Sequence, residues 1–228
     1  MSTLAARAKR AARAVVIRDG AVRRVPLGLG RGLRLEADQR STLHTYLGTA
    51  EVEIARHLRR FAQPGVRAFD VGSNNGWYAL VLSRLTRAQT AAFDFDPDCL
   101  ARIARNLQRN PGPAANVTLV DAYVGATVDR AQRADTLDRI AFEDLWVPGL
   151  LKIDVEGAEL AVLHGAQRIL EQAHPHLVIE THGREVERGC AELLRDHGYA
   201  PLVVDQRRVL REGRPNPENR WLVAAGRS

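Results

Sequence analysis

The chain has little cysteine, almost no lysine and no long apolar run. Its two cysteines, Cys99 and Cys190, stand far apart and each lacks a cysteine neighbour. That excludes a disulfide framework, a zinc knuckle and a CxxC redox pair, and makes a reducing cytoplasm the expected compartment. The longest apolar run, Trp77 to Leu82, is six residues. A bilayer-spanning helix needs about 20, so stable membrane insertion is excluded. No internal repeat or low-complexity block follows the N-terminal leader. Hydrophobic residues make up 45% of the chain and charged residues 26%, which excludes intrinsic disorder. The length of 228 residues fits one full domain with additions.

The formal charge is +6, but it is unevenly placed. Residues 1–40 hold ten basic groups against Asp19, Glu36 and Asp38, which leaves residues 41–228 at −1. A body this close to neutral offers no groove for neutralising phosphates, so nucleic acid is not the expected partner. The first twenty residues are rich in arginine and alanine, superficially like a transit peptide. Their apolar residues are mostly alanine with no aromatic, a weak membrane anchor. The expected organisation is a basic leader at 1–20, an N-terminal extension with a helix at 21–64, and a ligand-binding domain at 65–228.

Residues 21–38 read as short extended pieces around Gly28–Gly32. A helix is expected from Thr49 to Arg60, with Thr49 as its N-cap. Beyond Pro64-Gly65, strands alternate with helices. Strands are expected at 66–71, 90–95, 116–120, 150–155, 177–180, 201–204 and 221–225, and helices at 77–85, 97–110, 158–172 and 185–197. A Pro/Gly/Asn-rich turn is expected at 212–219. This alternation predicts an α/β fold with a seven-stranded, mostly parallel sheet covered by helices on both faces. The last two strands have no helix between them, so the seventh is expected to run antiparallel. Ligands in such sheets bind beyond the carboxyl ends of the strands.

The first strand end reads Phe69-Asp70-Val71-Gly72-Ser73-Asn74-Asn75-Gly76-Trp77. A dinucleotide fingerprint requires glycine where Asn74 and Trp77 stand, so that reading fails. The spacing matches instead the D-x-G-x-N-x-G loop that holds S-adenosylmethionine, a ligand with no phosphate to cradle. The second strand ends in Asp94, eighteen residues past Gly76, where a carboxylate can accept from both ribose hydroxyls. Asp96 reads as the N-cap of the next helix. Asp121 and Ala122 follow the third strand, where the adenine edge is expected. The fourth strand carries Lys152 and Asp154 on one side of an otherwise apolar run. The fifth ends in Glu180, Thr181 and His182. Glu159 reads as a first-turn acid favoured by the helix dipole.

Together these residues resemble the FkbM-type methyltransferase family over about residues 28–205. The resemblance rests on Phe69–Gly76, on Ala92-Phe93-Asp94 with Asn106 and Asn110, and on Thr136-Leu137-Asp138. It rests further on Lys152-Ile153-Asp154-Val155-Glu156-Gly157-Ala158-Glu159, Val162–Ala166, and Glu180 with His182. It implies a Rossmann-like, class I methyltransferase fold with S-adenosylmethionine as cofactor. The implied activity is O-methylation of a small-molecule or glycan hydroxyl. The Gly48–Glu51 segment looks like the family's approach to the cofactor pocket, with Glu51 in place of its usual acid. In two places the chain departs from the pattern. Asp94 stands where glutamate is usual, and Phe95 replaces the following proline and could pack on adenine. The cofactor set expected is Glu51, Asp70, Gly72, Ser73, Asn74, Asn75, Gly76, Asp94, Phe95, Asp121 and Ala122.

An alcohol is a poor nucleophile at neutral pH, so a base must take its proton. His182 has the more suitable intrinsic pKa and Asp154 the better position; Glu180 and Lys152 are further candidates. With His182 as base, the rate is expected to rise with pH through about 6–7.5. The expected site holds no metal, although magnesium on Asp154 with Glu180 or His182 is a second version. Methylation of RNA or protein, and non-catalytic binding of an adenosyl ligand, are the competing functions.

Overall fold

The computed structural model describes residues 18–38, 41–207 and 218–227. The greater part of the expected leader and of the 212–219 turn lies outside these residues. Two central strands, β3 (Ala68–Val71) and β8 (Leu150–Ile153), are buried at every position, the mark of a sheet covered on both faces. Between them in sequence come β4 (Thr90–Asp94), β5 (Val117–Asp121) and a separate two-stranded pair, β6 (Tyr123–Val124) and β7 (Ala134–Asp135), and after them β9 (His176–Thr181), β10 (Leu202–Val204) and β11 (Arg220–Ala224). The sheet order is β10-β11-β9-β8-β3-β4-β5. Strands β5, β4, β3, β8 and β9 are parallel, while β11 runs antiparallel to both β9 and β10. The expected Rossmann-like sheet with an antiparallel last strand is present. Strand order reverses between β3 and β8, which places a binding crevice beyond their carboxyl ends.

Side-chain alternation sorts the core into two layers. Phe69, Val71, Leu151, Ile153, Leu177 and Ile179 face one cluster. Ala68, Leu150, Val178, Trp221 and Val223 face the other, where they meet Val25, Leu35, Ile54, Leu58 and Phe61. The segment before β3 therefore covers one face of the sheet. Asp70, Lys152 and Glu180 are two residues on from Ala68, Leu150 and Val178, so they emerge on that same covered face.

The covering segment is a hairpin followed by two short helices. Its strands, β1 (Val22–Arg24) and β2 (Arg34–Glu36), pair antiparallel. Helix α1 (Leu43–Leu47) ends at Gly48, whose left-handed backbone (φ 76°) lets its N–H reach the carbonyls of His44 and Thr45. Glu51 is also left-handed, and α2 (Ala55–Phe61) begins only after it. The helix expected from Thr49 to Arg60 thus begins only at Ala55, and a separate short helix at Leu43–Leu47 precedes it. Thr49 does not act as a cap; its hydroxyl lies 2.8 Å from His44 Nδ1.

Helices α3 (Trp77–Thr86), α4 (Pro97–Gln108) and α6 (Arg184–Asp196) lie within two residues of expectation, with α5 (Glu159–His164) between the last two. The helix expected at 158–172 breaks after His164. Gly165 lies against the carbonyl of Gly125, where a Cβ would approach to 2.0 Å. The Asp138 carboxylate then accepts from the N–H groups of Arg168 and Ile169 at 2.8 Å, opening a separate turn at Ile169–Ala173. Among the described residues no helix is long and apolar enough to cross a membrane.

Candidate functional site

The register of β3 against β8 creates the crevice. Val71 pairs with Ile153, so Gly72 and Asp154 leave the sheet side by side, with Asp154 N–H donating to the Val71 carbonyl at 2.9 Å. Gly72 has φ +82°, and a Cβ there would sit 1.8 Å from the Asp154 carbonyl oxygen. Only glycine allows this approach.

Two cavities open at the strand ends. The first, about 550 Å³, is lined by Gly72, Asn74, Phe93, Asp94, Phe95, Ala122, Tyr123 and Val155 among others. The second, about 500 Å³, lies beneath the N-terminal segment. Its walls include Ser41, Thr42, Thr45, Glu51, Ser73, Asn75, Tyr78, Lys152, Glu180, His182 and Asn219. Gly72, Asn74, Asp154 and Glu156 line both, so these four form the partition between the chambers.

At the first cavity, Asp94 is fixed by the backbone. Its Oδ2 accepts from Asn74 N–H at 2.8 Å, and its Oδ1 from Phe95 and Asp96 N–H at 2.9 and 3.1 Å. Burial pushes its pKa above the usual aspartate value against these three donors. Asp96 is the N-cap of α4, accepting from Asp98 N–H. Phe95 and Tyr123 meet edge to face, 5.2 Å between centroids, and both are half exposed at the mouth. Asp121 does not join them, because its carboxylate is engaged by Arg133 at 2.6 and 2.7 Å.

Asp70 and Gly76, both expected in the site, line neither cavity. Gly76 sits at the start of α3. Asp70 is fully buried behind the loop, and neither carboxylate oxygen has a hydrogen-bond partner among the described residues. Ser73 Oγ donates instead to the Asp70 carbonyl at 2.7 Å. Burial lifts the Asp70 pKa to about 6, opposed by the charge of Lys152.

The loop also takes instructions from α4. Asn106 lies in the last turn of α4 and Asn110 just past its end, where Asn110 Nδ2 donates to the Asn106 carbonyl at 2.7 Å. Asn106 Oδ1 accepts from Glu36 N–H and its Nδ2 donates to the Asn75 carbonyl, both at 2.8 Å. Asn110 pairs both ways with the Arg34 backbone at 2.9 and 2.7 Å. The two amides tie the hairpin to the ligand loop.

The second cavity concentrates charge. Lys152 is buried, with Nζ 2.8 Å from Asp154 Oδ2 and 4.6 Å above the Tyr78 ring. Burial works against its positive charge, but Asp154, Glu51 and Asp70 outweigh that and raise its pKa. Tyr78 OH donates to Glu51 Oε2 at 2.6 Å. His182 Nε2 lies 3.2 Å from Glu156, 3.7 Å from Asp154 and 3.9 Å from Glu180. Burial lowers the imidazole pKa, but Glu159, Asp154 and Glu180 together raise it to about 9. This lies above the range of 6–7.5 expected from the sequence.

Asp154, Glu180 and His182 each offer a ligand atom within 4.8 Å of the others, a spacing a divalent cation could accept. Positive charge is already built in, however, because Lys152 Nζ sits on the Asp154 carboxylate.

Sequence reading missed Ser41, Thr42, Thr45, Tyr78 and Asn219, which line the second cavity and belong to no motif. It also gave Glu159 no part in the site. Glu159 is the first residue of α5, as a first-turn acid should be, yet its side chain is 0% exposed and Oε1 lies 2.7 Å from His182 Nδ1.

The family profile of the methyltransferase FkbM domain matches residues 125–212. That stretch, somewhat over a third of the chain, is similar to the FkbM methyltransferase domain. The matched stretch holds Lys152, Asp154, Glu159, Glu180 and His182, while Asp94 and the Gly72–Gly76 loop precede it. The hexuronic acid methyltransferase AglP of Haloferax volcanii is 27% identical to this chain over 168 residues, covering 64% of this chain and 68% of that protein. Among solved structures, the FkbM methyltransferase of Methylobacillus flagellatus KT aligns with TM-score 0.58 and 20% identity over 70% of this chain. The alignment spans only 43% of that protein's length. The precorrin-6y C5,15-methyltransferase of Geobacter metallireducens GS-15 aligns with TM-score 0.57 and 19% identity over 85% of this chain and 98% of its own. Both structural likenesses are of fold.

Proposed function

We propose that this protein transfers the methyl group of S-adenosylmethionine to an uncharged hydroxyl of a sugar or sugar-like small molecule. The observation that carries the reading is the pair of chambers meeting at Gly72, Asn74, Asp154 and Glu156, with His182 on the far side. The adenosine fits the first chamber, with Asp94 accepting from the ribose hydroxyls and Phe95 and Tyr123 flanking adenine. The methionine end follows the Gly72–Asn75 loop to the partition, and the acceptor occupies the second chamber beneath Ser41, Thr42 and Thr45.

The reaction is an in-line displacement. The acceptor oxygen forms a bond to the methyl carbon as the carbon–sulfur bond breaks, and sulfur keeps that electron pair as a neutral thioether. The leaving group needs no acid, so alignment supplies most of the catalysis. The hydroxyl proton passes to His182 Nε2. Binding of the sulfonium beside this cluster opposes a charged imidazole, which frees Nε2 to accept. Asp154, held by Lys152, is placed at the partition to orient the hydroxyl.

Charge supports a hydroxyl nucleophile over a carboxylate. Among the described residues, Glu51, Asp154, Glu156 and Glu180 line the acceptor chamber against Lys152 and His182, and a second anion there meets net repulsion. The sugar class is supported by the hexuronic acid methyltransferase relative. The test is release of S-adenosylhomocysteine across matched neutral glycosides and uronic acids. Turnover with the neutral members is expected. Turnover of the uronic acids alone would overturn the charge argument, and cofactor binding without turnover of any hydroxyl acceptor would overturn O-methylation.

A further inference from the structure

Glu159 is a buried acid that the proposed reaction does not yet use. Its side chain is 0% exposed, in contrast to Glu156 at 87%. Backbone donors hold it in place: Oε1 accepts from Gly157 N–H at 2.9 Å and from Val155 N–H at 3.3 Å. These are the N–H groups of the turn just after Asp154, where Glu156 and Gly157 adopt positive φ of 54° and 107°. The same oxygen meets His182 Nδ1 at 2.7 Å. One carboxylate thus ties the loop after β8 to the imidazole at the end of β9.

We infer that Glu159 is the positioning residue of His182, accepting from Nδ1–H so that the Nε2 lone pair is turned toward the acceptor hydroxyl. The inference rests on the reading of His182 as base. An imidazole has two ring nitrogens, and a fixed acceptor on one selects the tautomer that leaves the other free to take a proton. Glu156 also lies near Nε2, but its exposed side chain is free to swing away when an acceptor enters. Glu159, buried and bonded to two backbone N–H groups, is not. The groups facing His182 are therefore Glu159 from α5, Asp154 and Glu156 from the loop after β8, and Glu180 from β9. Lys152 acts on the far side of Asp154, and Cys190 of α6 feels the charge of Glu159. The raised imidazole pKa agrees with a carboxylate at Nδ1, since Glu159 is the foremost of its raising influences.

Two measurements test this. In the wild-type protein without ligand, nitrogen-resolved NMR of the His182 ring above its pKa should show the proton on Nδ1. A ring protonated on Nε2 overturns the inference without any variant. Glu159→Gln keeps an acceptor oxygen for the Val155 and Gly157 N–H groups and removes the charge. It should lower the His182 pKa by at least about one unit and cut turnover of a neutral methyl glycoside by about 10–100-fold, within the whole contribution of a general base. In a His182→Ala background the same change should leave the residual rate unaltered. An unchanged imidazole pKa in Glu159→Gln, or an equal rate loss in both backgrounds, overturns the positioning role. Near-normal turnover of His182→Ala with the Nδ1 tautomer intact overturns the base assignment instead, so the two failures are distinguishable.

Discussion

Between pH 6 and pH 10 the protein is expected to lose stability through His182. The imidazole titrates near 9 in the fold, against 6.5 for a solvated histidine, because Glu159, Asp154 and Glu180 outweigh the penalty of burial. A pKa raised by folding means that the folded state holds the proton more tightly. That contribution is complete below about pH 6.5 and disappears as pH rises through about 9. At about 1.4 kcal/mol per pKa unit, a shift of this size is worth about 3 kcal/mol, and solvent screening through the exposed Glu156 trims it to about 2–3 kcal/mol. Urea unfolding of wild type and His182→Asn at pH 6 and pH 10 checks it. Tyr46, Tyr78, Tyr199 and Cys190 are all raised by burial and also cost stability at high pH. They do so equally in both proteins, so the quantity of interest is the pH 6 minus pH 10 change in wild type, less the same change in the variant. A difference near zero would refute the argument that the carboxylate cluster holds a proton on His182.

The remaining predictions concern the ligand loop and the cation question. Asp94→Ala should weaken S-adenosylmethionine binding by about 1.5–3 kcal/mol, the loss expected when hydrogen bonds to a charged group disappear; unchanged affinity by calorimetry removes Asp94 from the site. Asn106→Ala leaves Glu36 N–H and the Asn75 carbonyl without their buried partner. It should cost about 2–3 kcal/mol of stability and weaken cofactor binding as well. A melting temperature equal to wild type would show that the hairpin is held by other contacts. Activity should persist in EDTA. Loss of activity that magnesium restores would make Asp154, Glu180 and His182 ligands instead of a proton-handling cluster.

Much of the fold is local and was therefore legible. Each parallel strand is a short apolar run ending at or just before a small or acidic residue, and α4 begins where the chain supplies both a cap and a proline, Asp96-Pro97. Elements fail to be legible where a distant contact overrides the local pattern. The 158–172 segment has a continuous helical period, but Gly165 meets the Gly125 carbonyl and Asp138 caps a new turn, neither of which its own sequence announces. The front helix starts late for a similar reason: Gly48 packs against the Leu27 carbonyl, where a Cβ would approach to 2.0 Å, and Glu51 is left-handed, so the helix begins only at Ala55.

The site divides along the same line. Strand-end position alone picked out Asp94, Asp154, Glu180 and His182, because in a parallel sheet the residues just past the strands converge wherever the order reverses. What each residue does was decided by the packing of separate chain segments. Asp121 was turned away by Arg133, Asp70 was sealed beneath its own loop, and Lys152 was locked onto Asp154. Glu159 reads in sequence as one more acid at a helix start. Only the approach of β9 to α5, which sets His182 Nδ1 at 2.7 Å from it, turns that acid toward the imidazole. Periodicity and capping act over a few residues, so the sequence by itself determined most of the elements and their order along the chain. Charge and hydrogen bonding act through space between segments far apart in the chain, so the partners and proton affinities of the site existed only once the tertiary structure had closed.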